Sequence, residues 1–242
     1  FQSQQQYDFG ETGFDFLQVF VYNWQQYYLG KNAIIGPHII GSTPETHPLP
    51  DGAKALFGDI DEEGHIYVYT DNQQIIDFYK GNYQTLQVEQ IGGWDKASAM
   101  QVYNDNIYIL SQDGTQIYKH RKVGSGYDGK SLVIQEGASE FGFPAASFDI
   151  DGWFYIFKEN ALVDKVFSSP TYERRSIVIN NLGTNIFWVD DSISLPQKII
   201  ADPGLNYVFL LLNGKVWIFQ PNSNRYADVK ALNYIGQIEV PD

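Results

Sequence analysis

The most regular feature of the chain is a set of short apolar runs. Ile66-Tyr67-Val68-Tyr69, Ile107-Tyr108-Ile109-Leu110, Phe154-Tyr155-Ile156-Phe157 and Tyr207-Val208-Phe209-Leu210 are each followed, three positions later, by Asn72, Asp113, Asn160 or Asn213. Four-residue runs of β-branched and aromatic residues bounded by turn residues predict buried strands rather than helices. Asn and Asp suit the intervening turns because they tolerate positive φ. A weaker copy, Val19-Phe20-Val21-Tyr22 with Asn23 directly after it, precedes the four. The turn residues 23, 72, 113, 160 and 213 are spaced by 49, 41, 47 and 53 residues.

Each hairpin is flanked by further strand patterns. Residues 97–102 and 146–150 stand before a hairpin, and residues 86–90, 132–135, 176–179 and 234–238 after one. Four short strands in each unit of 40–50 residues form the blade pattern of a propeller. The expectation is therefore an all-β chain, one β-propeller domain of four-stranded antiparallel blades. Five blades are predicted, at approximately 1–50, 51–93, 94–138, 139–190 and 191–242, with the first the least regular. A two-sheet sandwich is the structural alternative.

Composition narrows the function. A net charge of −13 disfavours nucleic acid as a partner, because phosphate binding needs a basic stripe. The one basic cluster, Lys119, Arg121 and Lys122 around His120, reads as a solvated loop. With no Cys, disulfides, thiolate metal sites and thiol nucleophiles are excluded. The most apolar run, residues 207–212, is too short to span a membrane, so no membrane insertion by this segment is expected. The first residues, Phe1-Gln2-Ser3-Gln4, carry neither an initiator Met nor a visible signal peptide, as expected of a processed form or a piece of something longer.

Several motifs invite a sharper reading. Gly124-Ser125-Gly126-Tyr127-Asp128-Gly129-Lys130-Ser131 satisfies the phosphate-loop pattern. That loop requires a helix straight after Lys-Ser. Here Leu132 and the β-branched Val133-Ile134 follow, so a glycine-rich interstrand loop is expected. Asp59 with Asp61, and Asp149 with Asp151, occupy the same slot in two units, each pair on one strand face by alternation. Oxygen ligands clustered at a turn make Ca²⁺ the candidate ion, and otherwise no cofactor is expected. His38, His47, His65 and His120 show no metal-ligand spacing and are expected on the surface or in loops. No nucleophile elbow occurs. Trp153 and Trp217 lie within strand patterns and read as core. Trp24, beside a hairpin turn, and Trp94, after Gly92-Gly93, are the candidate ligand-binding aromatics.

Two resemblances accompany these readings. Ile91-Gly92-Gly93-Trp94-Asp95, followed by Asn106-Ile107-Tyr108 and Gln116-Ile117-Tyr118-Lys119, resembles a blade of the tachylectin-type five-bladed lectins, although the motif occurs only once here. From about residue 140 to 239 the chain is similar to the C-terminal propellers of predicted membrane-anchored proteins from candidate-phyla bacteria. The similarity is carried by residues 148–157, 195–199, 205–211, 216–223 and 234–239. The second resemblance implies an extracytoplasmic (secreted or cell-surface) interaction domain of a longer, membrane-anchored parent. The expected function is a non-catalytic propeller that binds a protein partner or forms part of an extracellular surface structure. A carbohydrate-binding lectin, with a glycan as partner, is the alternative, and a hydrolase with an axial site is the third reading.

Overall fold

The computed structural model describes residues 14–39, 42–90, 97–132, 145–150, 153–158, 163–167, 174–180, 198–202, 207–212, 215–221 and 231–239. Twenty strands run through them, in consecutive antiparallel meanders of four. The first sheet holds β1 (Phe16–Tyr22), β2 (Gln25–Gly30), β3 (Ala33–His38) and β4 (Thr46–Pro48). The second holds β5 (Ala55–Ile60), β6 (Ile66–Thr70), β7 (Ile75–Tyr79) and β8 (Asn82–Thr85). The third is β9 (Ala99–Tyr103), β10 (Asn106–Leu110), β11 (Ile117–Val123) and β12 (Gly126–Leu132). The fourth meander is β13 (Ala145–Ile150), β14 (Trp153–Lys158), β15 (Val163–Phe167) and β16 (Arg174–Asn180). The fifth is β17 (Lys198–Asp202), β18 (Tyr207–Leu212), β19 (Lys215–Pro221) and β20 (Ala231–Glu239).

This is an all-β, propeller-class architecture of four-stranded antiparallel sheets. Five separate blades were expected, but the strands form four sheets. Parallel pairing of Val178, Ile179 and Asn180 with Ala231, Leu232 and Asn233 joins β16 to β20, so the last two meanders share one eight-stranded sheet. The described residues fall into two compact units. One contains the first two sheets with Asn104–Ile107 and His120–Gly129, and the other contains Tyr108–Lys119 and the fourth and fifth meanders.

The apolar runs are the second strands of their sheets. Every residue of β6 is buried. In the first unit Ile66, Val68 and Phe78 pack with Phe20, Leu29, Ile34, Leu49 and Ala55. In the second, Tyr108, Leu110 and Ile117 pack with Phe148, Ile150, Phe154 and Ile156. A strand buried on both faces has no polar alternation, which is why these runs read as continuous. The first run is the exception. Val19–Tyr22 lies in β1, a first strand, and Asn23 turns the chain into β2. The true counterpart of the later second-to-third-strand turns is Lys31-Asn32, which brings the spacing to Asn72 down to 40 residues.

The recurring turn has a common hydrogen-bond device. The buried Thr70 hydroxyl donates to Asn72 at 2.6 Å and accepts the Gln74 amide at 3.2 Å. Ser111 donates to Asp113 at 2.6 Å and accepts the Gln116 amide at 3.0 Å. The Ser111 and Thr115 hydroxyls and the Thr115 amide hold the Asp113 carboxyl below its usual range.

Of the phosphate-loop lookalike only residues 124 and 125 form a turn; Gly126 to Ser131 lie in strand β12, where a loop was expected, and not at the start of a helix. Its glycines serve close approach. Segment 86–90, expected as a strand, lies after β8 and meets β12 through a single parallel bridge, Val88 to Tyr127. A Cβ on Gly129 would stand 2.0 Å from the Glu89 carbonyl oxygen, and one on Gly126 would stand 3.1 Å from that of Gln87. The basic cluster is likewise on a strand rather than in a loop. Arg121 pairs with Asp128 at 2.6 Å, Lys122 pairs with Asp105 at 2.8 Å, and His120 just before them is fully buried. Burial pushes the His120 imidazole down to about 4.

Two measurements check this account. Gly129→Ala should lower unfolding stability in urea by about 1–3 kcal/mol through overpacking. Gly124→Ala, with nothing within 4 Å of the added Cβ, should cost only the left-handed backbone penalty at φ 59°, about 1–2 kcal/mol. His120 is neutral when folded and protonates in the unfolded chain below its ordinary value, so the unfolded state binds the extra proton. Stability should therefore fall as pH drops from about 6.5 toward about 4, at up to about 1.4 kcal/mol per pH unit. His120→Leu should flatten that slope in denaturation series across the window.

Candidate interaction surface

The β1–β2 hairpin closes in two residues, Asn23 at φ 48° and Trp24 at φ 64°. A two-residue turn with both φ values positive favours Asn followed by Gly, since the second position penalises a Cβ. Here that position carries the largest side chain available, and it is 97% exposed. The segment from Phe14 to Gly30 has one charged residue, Asp15, and seven aromatics, within an otherwise acidic chain. Low charge with high aromatic content is the composition of an interface core.

Tyr22, two residues from Trp24, packs its ring over Gly64 of the β5–β6 turn, where an added Cβ would come within 2.6–3.0 Å of it. Asp61 organises that turn. Its Oδ1 accepts the amides of Glu63 and His65, both at 2.9 Å, and its Oδ2 accepts the Tyr67 hydroxyl at 3.0 Å. The Tyr127 hydroxyl interacts with that of Tyr67 in turn. Burial is the main reason both phenols are held above their usual range.

Beside this chain of hydroxyls, His65 Nδ1 lies 2.9 Å from Asp77 Oδ2. The His65 ring stacks on Tyr79 at 3.9 Å with parallel planes, and Lys80 Nζ sits 4.7 Å from the Tyr79 ring centre. Burial raises the Asp77 carboxyl, and the bond to His65 opposes that rise. The surface thus offers aromatic faces, one exposed ammonium and the acidic pair Glu62 and Glu63, also exposed. Nearby in the same unit, Gln87, Val88, Glu89, Val123, Gly126, Tyr127 and Asp128 line an open groove of about 430 Å³.

The residues singled out in the sequence separate clearly. Trp24 is fully presented. Trp94 and Asp151 lie outside the described residues. Asp59 stands on β5 opposite Tyr67 and is half-buried, and Asp61 is the turn organiser. Asp149 is buried: Oδ1 accepts the Ile150 amide at 2.8 Å and Oδ2 accepts the Ala201 amide at 2.5 Å, tying β13 to β17. Other first strands carry side chains that do similar work. Gln18 reaches the Gly58 amide at 3.4 Å, and Gln101 donates to the Phe148 carbonyl at 3.1 Å. Among the described residues, no three His, Asp or Glu side chains gather as a metal site.

Trp217 is buried, whereas the side chain of Trp153 and all of Trp188 lie outside the described residues. The remaining histidines are structural partners: His38 Nδ1 lies 3.0 Å from the Tyr28 hydroxyl, and His47 Nε2 lies 3.0 Å from the Gly36 carbonyl. The His65–Asp77–Tyr67 grouping was not anticipated. Its signal was two-residue alternation: His65 and Tyr67 share one face, and Tyr67 stands opposite Asp77 in register.

No family model matches the chain, and no curated protein matches it. Solved structures do. PorZ, an essential bacterial surface component of the type-IX secretion system of Porphyromonas gingivalis, aligns over 92% of this chain at 10% identity and a TM-score of 0.55. The chain spans only 26% of the PorZ chain. YCF48 bound to D1 peptide aligns over 93% of this chain and 67% of its own, at 10% identity and a TM-score of 0.53. A chain of a nidogen/laminin complex aligns over 88% of this chain and 75% of its own, at 10% identity and a TM-score of 0.60. A virginiamycin B lyase from Staphylococcus aureus shares the fold as well, at 9% identity and a TM-score of 0.53 over 81% of this chain and 62% of its own. At such identities the likeness establishes the fold alone. Among the described residues no helix is long and apolar enough to cross a membrane.

The Asp61 network is directly testable. Asp61→Ala should destabilise by about 2–3 kcal/mol, because two amides and a buried hydroxyl lose their acceptor. Tyr67→Phe should cost about 1 kcal/mol, and the double variant should cost less than the sum of the two. Urea denaturation of the four proteins gives the coupling.

Proposed function

We propose that this chain is a non-catalytic interaction module that grips a protein partner with the β1–β2 hairpin, Trp24 being the anchor. The observation that carries this is the placement of Trp24. A bulky residue at φ 64° costs about 1 kcal/mol relative to Gly, and at 97% exposure it recovers nothing from packing. A local preference broken without a gain in stability is where function is expected. Exposed Trp is also the commonest kind of interface anchor. The engagement of His38, His47 and His65 in structural bonds and the low charge of the hairpin support binding over catalysis. We place the module outside the cytoplasm, as PorZ is a surface component. The runner-up is a glycan as the partner, since the same indole face stacks on a sugar ring.

Affinity capture with wild-type and Trp24→Gly baits, read by mass spectrometry, tests the reading. At least one protein should be retained by wild-type and reduced tenfold or more by the variant, a loss of about 1.4 kcal/mol or greater. The variant should meanwhile unfold at equal or higher urea concentration, because Asn-Gly is the preferred turn pair. Equal retention by both baits contradicts the proposal. Glycan-array binding that disappears with Trp24 would move the assignment to the carbohydrate reading.

A further inference from the structure

Alternation divides β1 into two faces. Phe20 and Tyr22 turn toward the second sheet, Phe20 into the core of the unit and Tyr22 onto Gly64. Leu17, Val19 and Val21 point the other way, and they are 41%, 46% and 61% exposed. The hairpin is therefore open on one side and closed on the β5–β6 turn on the other. Its tip holds Trp24, whose indole is left uncovered. The turn that Tyr22 meets holds Glu62 and Glu63, just before Gly64 and both exposed. The other acids near this turn are committed. Asp61 accepts two amides and the Tyr67 hydroxyl, Asp77 pairs with His65, and Asp105 pairs with Lys122. The carboxylates of Glu62 and Glu63, by contrast, have neither an ion pair nor a hydrogen bond among the described residues. Two cations approach this end, and both are placed: Lys80 stands 4.7 Å from the Tyr79 ring centre, and Lys122 is held by Asp105 at 2.8 Å.

We propose that the Trp24 tip and the Glu62–Glu63 turn together take an arginine-bearing segment of a protein partner, the guanidinium lying flat on the indole with its N–H edge toward the two carboxylates. Indole is the best aromatic acceptor for a cation. A guanidinium is planar, so it stacks on a ring and still directs a fork of donors at carboxylates, which the point charge of lysine does not do. Arginine and tryptophan are also the side chains on which binding energy concentrates. Net charge selects the same partner: at −13 the chain attracts a basic segment and repels an acidic one. The inference rests on the interaction-module reading and names the chemistry that its anchor recognises.

The test is an NMR titration of the full chain with three synthetic peptides that carry arginine, lysine or citrulline at the same positions of a Gly-Ser frame. Citrulline keeps the shape of arginine without its charge. The arginine peptide should shift the Trp24 indole N–H and the Glu62 and Glu63 amides together, and added salt should weaken its binding. The lysine peptide should bind more weakly by about threefold or more. The citrulline peptide should leave those signals in place at about 1 mM. Glu62→Gln/Glu63→Gln should weaken arginine binding by about threefold or more. Neither glutamate side chain has a partner to lose, so this variant keeps the fold. Trp24→Gly, read at the Glu62 and Glu63 amides, should weaken binding by a similar factor. Asp51→Asn/Asp71→Asn removes the same charge at exposed positions before β5 and after β6, away from the β5–β6 turn, and should bind like wild-type. Absence of any shift with the arginine peptide overturns the inference. So does equal binding of the lysine or citrulline peptide, or equal weakening by both double variants. The Trp24 reading fails separately, through equal capture by the wild-type and Trp24→Gly baits. A captured protein that depends on Trp24 but is held as well by a Glu62→Gln/Glu63→Gln bait overturns the arginine inference and leaves the module standing.

Discussion

The structure depends on second strands such as β6 and β10 being paired along both edges and covered on both faces. β6 and β10 meet that condition most fully, with Ile66, Val68, Ile107, Ile109 and Leu110 all at zero exposure. Such a strand has no position where a polar side chain can reach water. Its sequence is therefore a continuous β-branched and aromatic run, and its turns must satisfy their own polar groups. The Thr70–Asn72 and Ser111–Asp113 turns do so with a hydroxyl that donates to the Asx side chain and accepts a backbone amide. The burial of each unit and the hydrogen bonding at its turns are two consequences of one constraint.

First strands work differently, and the interactions between sheets are concentrated there. Gln18, Gln101 and Asp149 each reach across to the backbone of a neighbouring first strand. An amide or carboxylate on a first strand satisfies buried backbone groups that would otherwise cost free energy. Of the acidic residues that suggest calcium in the sequence, Asp61 in the β5–β6 turn and Asp149 on β13 have their oxygens occupied by amides and a phenol. The first strand is also where the fold reaches its surface chemistry, since β1 carries a covered face, an exposed aliphatic face and the Trp24 turn.

How much was legible follows from these distinctions. The apolar second strands were readable because burial on both faces leaves an unmistakable run, and the failure of the phosphate loop was readable from the β-branched residues after Lys130-Ser131. The first unit was read out of phase, because Val19–Tyr22 looks like a second strand although it is a first. Its neighbour β2, with Tyr27, Tyr28 and two glutamines, looks nothing like β6. Joining of the last two meanders through β16 and β20 is a long-range parallel contact without a local sequence signature. His120 reads as surface when scanned by residue type, yet alternation along β11 turns it inward beside the ion-paired Arg121. Trp24 was legible because an Asn-Trp turn is chemically odd, whereas the His65–Asp77–Tyr67 grouping needed cross-strand register that local pattern does not supply.

The central claim is that fully covered second strands form a rigid frame while β1, exposed along one face, is available for binding. Hydrogen exchange of the backbone amides at low protein concentration tests it most directly. The account predicts slowest exchange in β6 and β10, and exchange in β1 faster by orders of magnitude outside the amides paired to β2. Protection along the whole of β1 equal to that of β6 in the isolated chain would contradict it, because the exposed face of β1 would then already be covered.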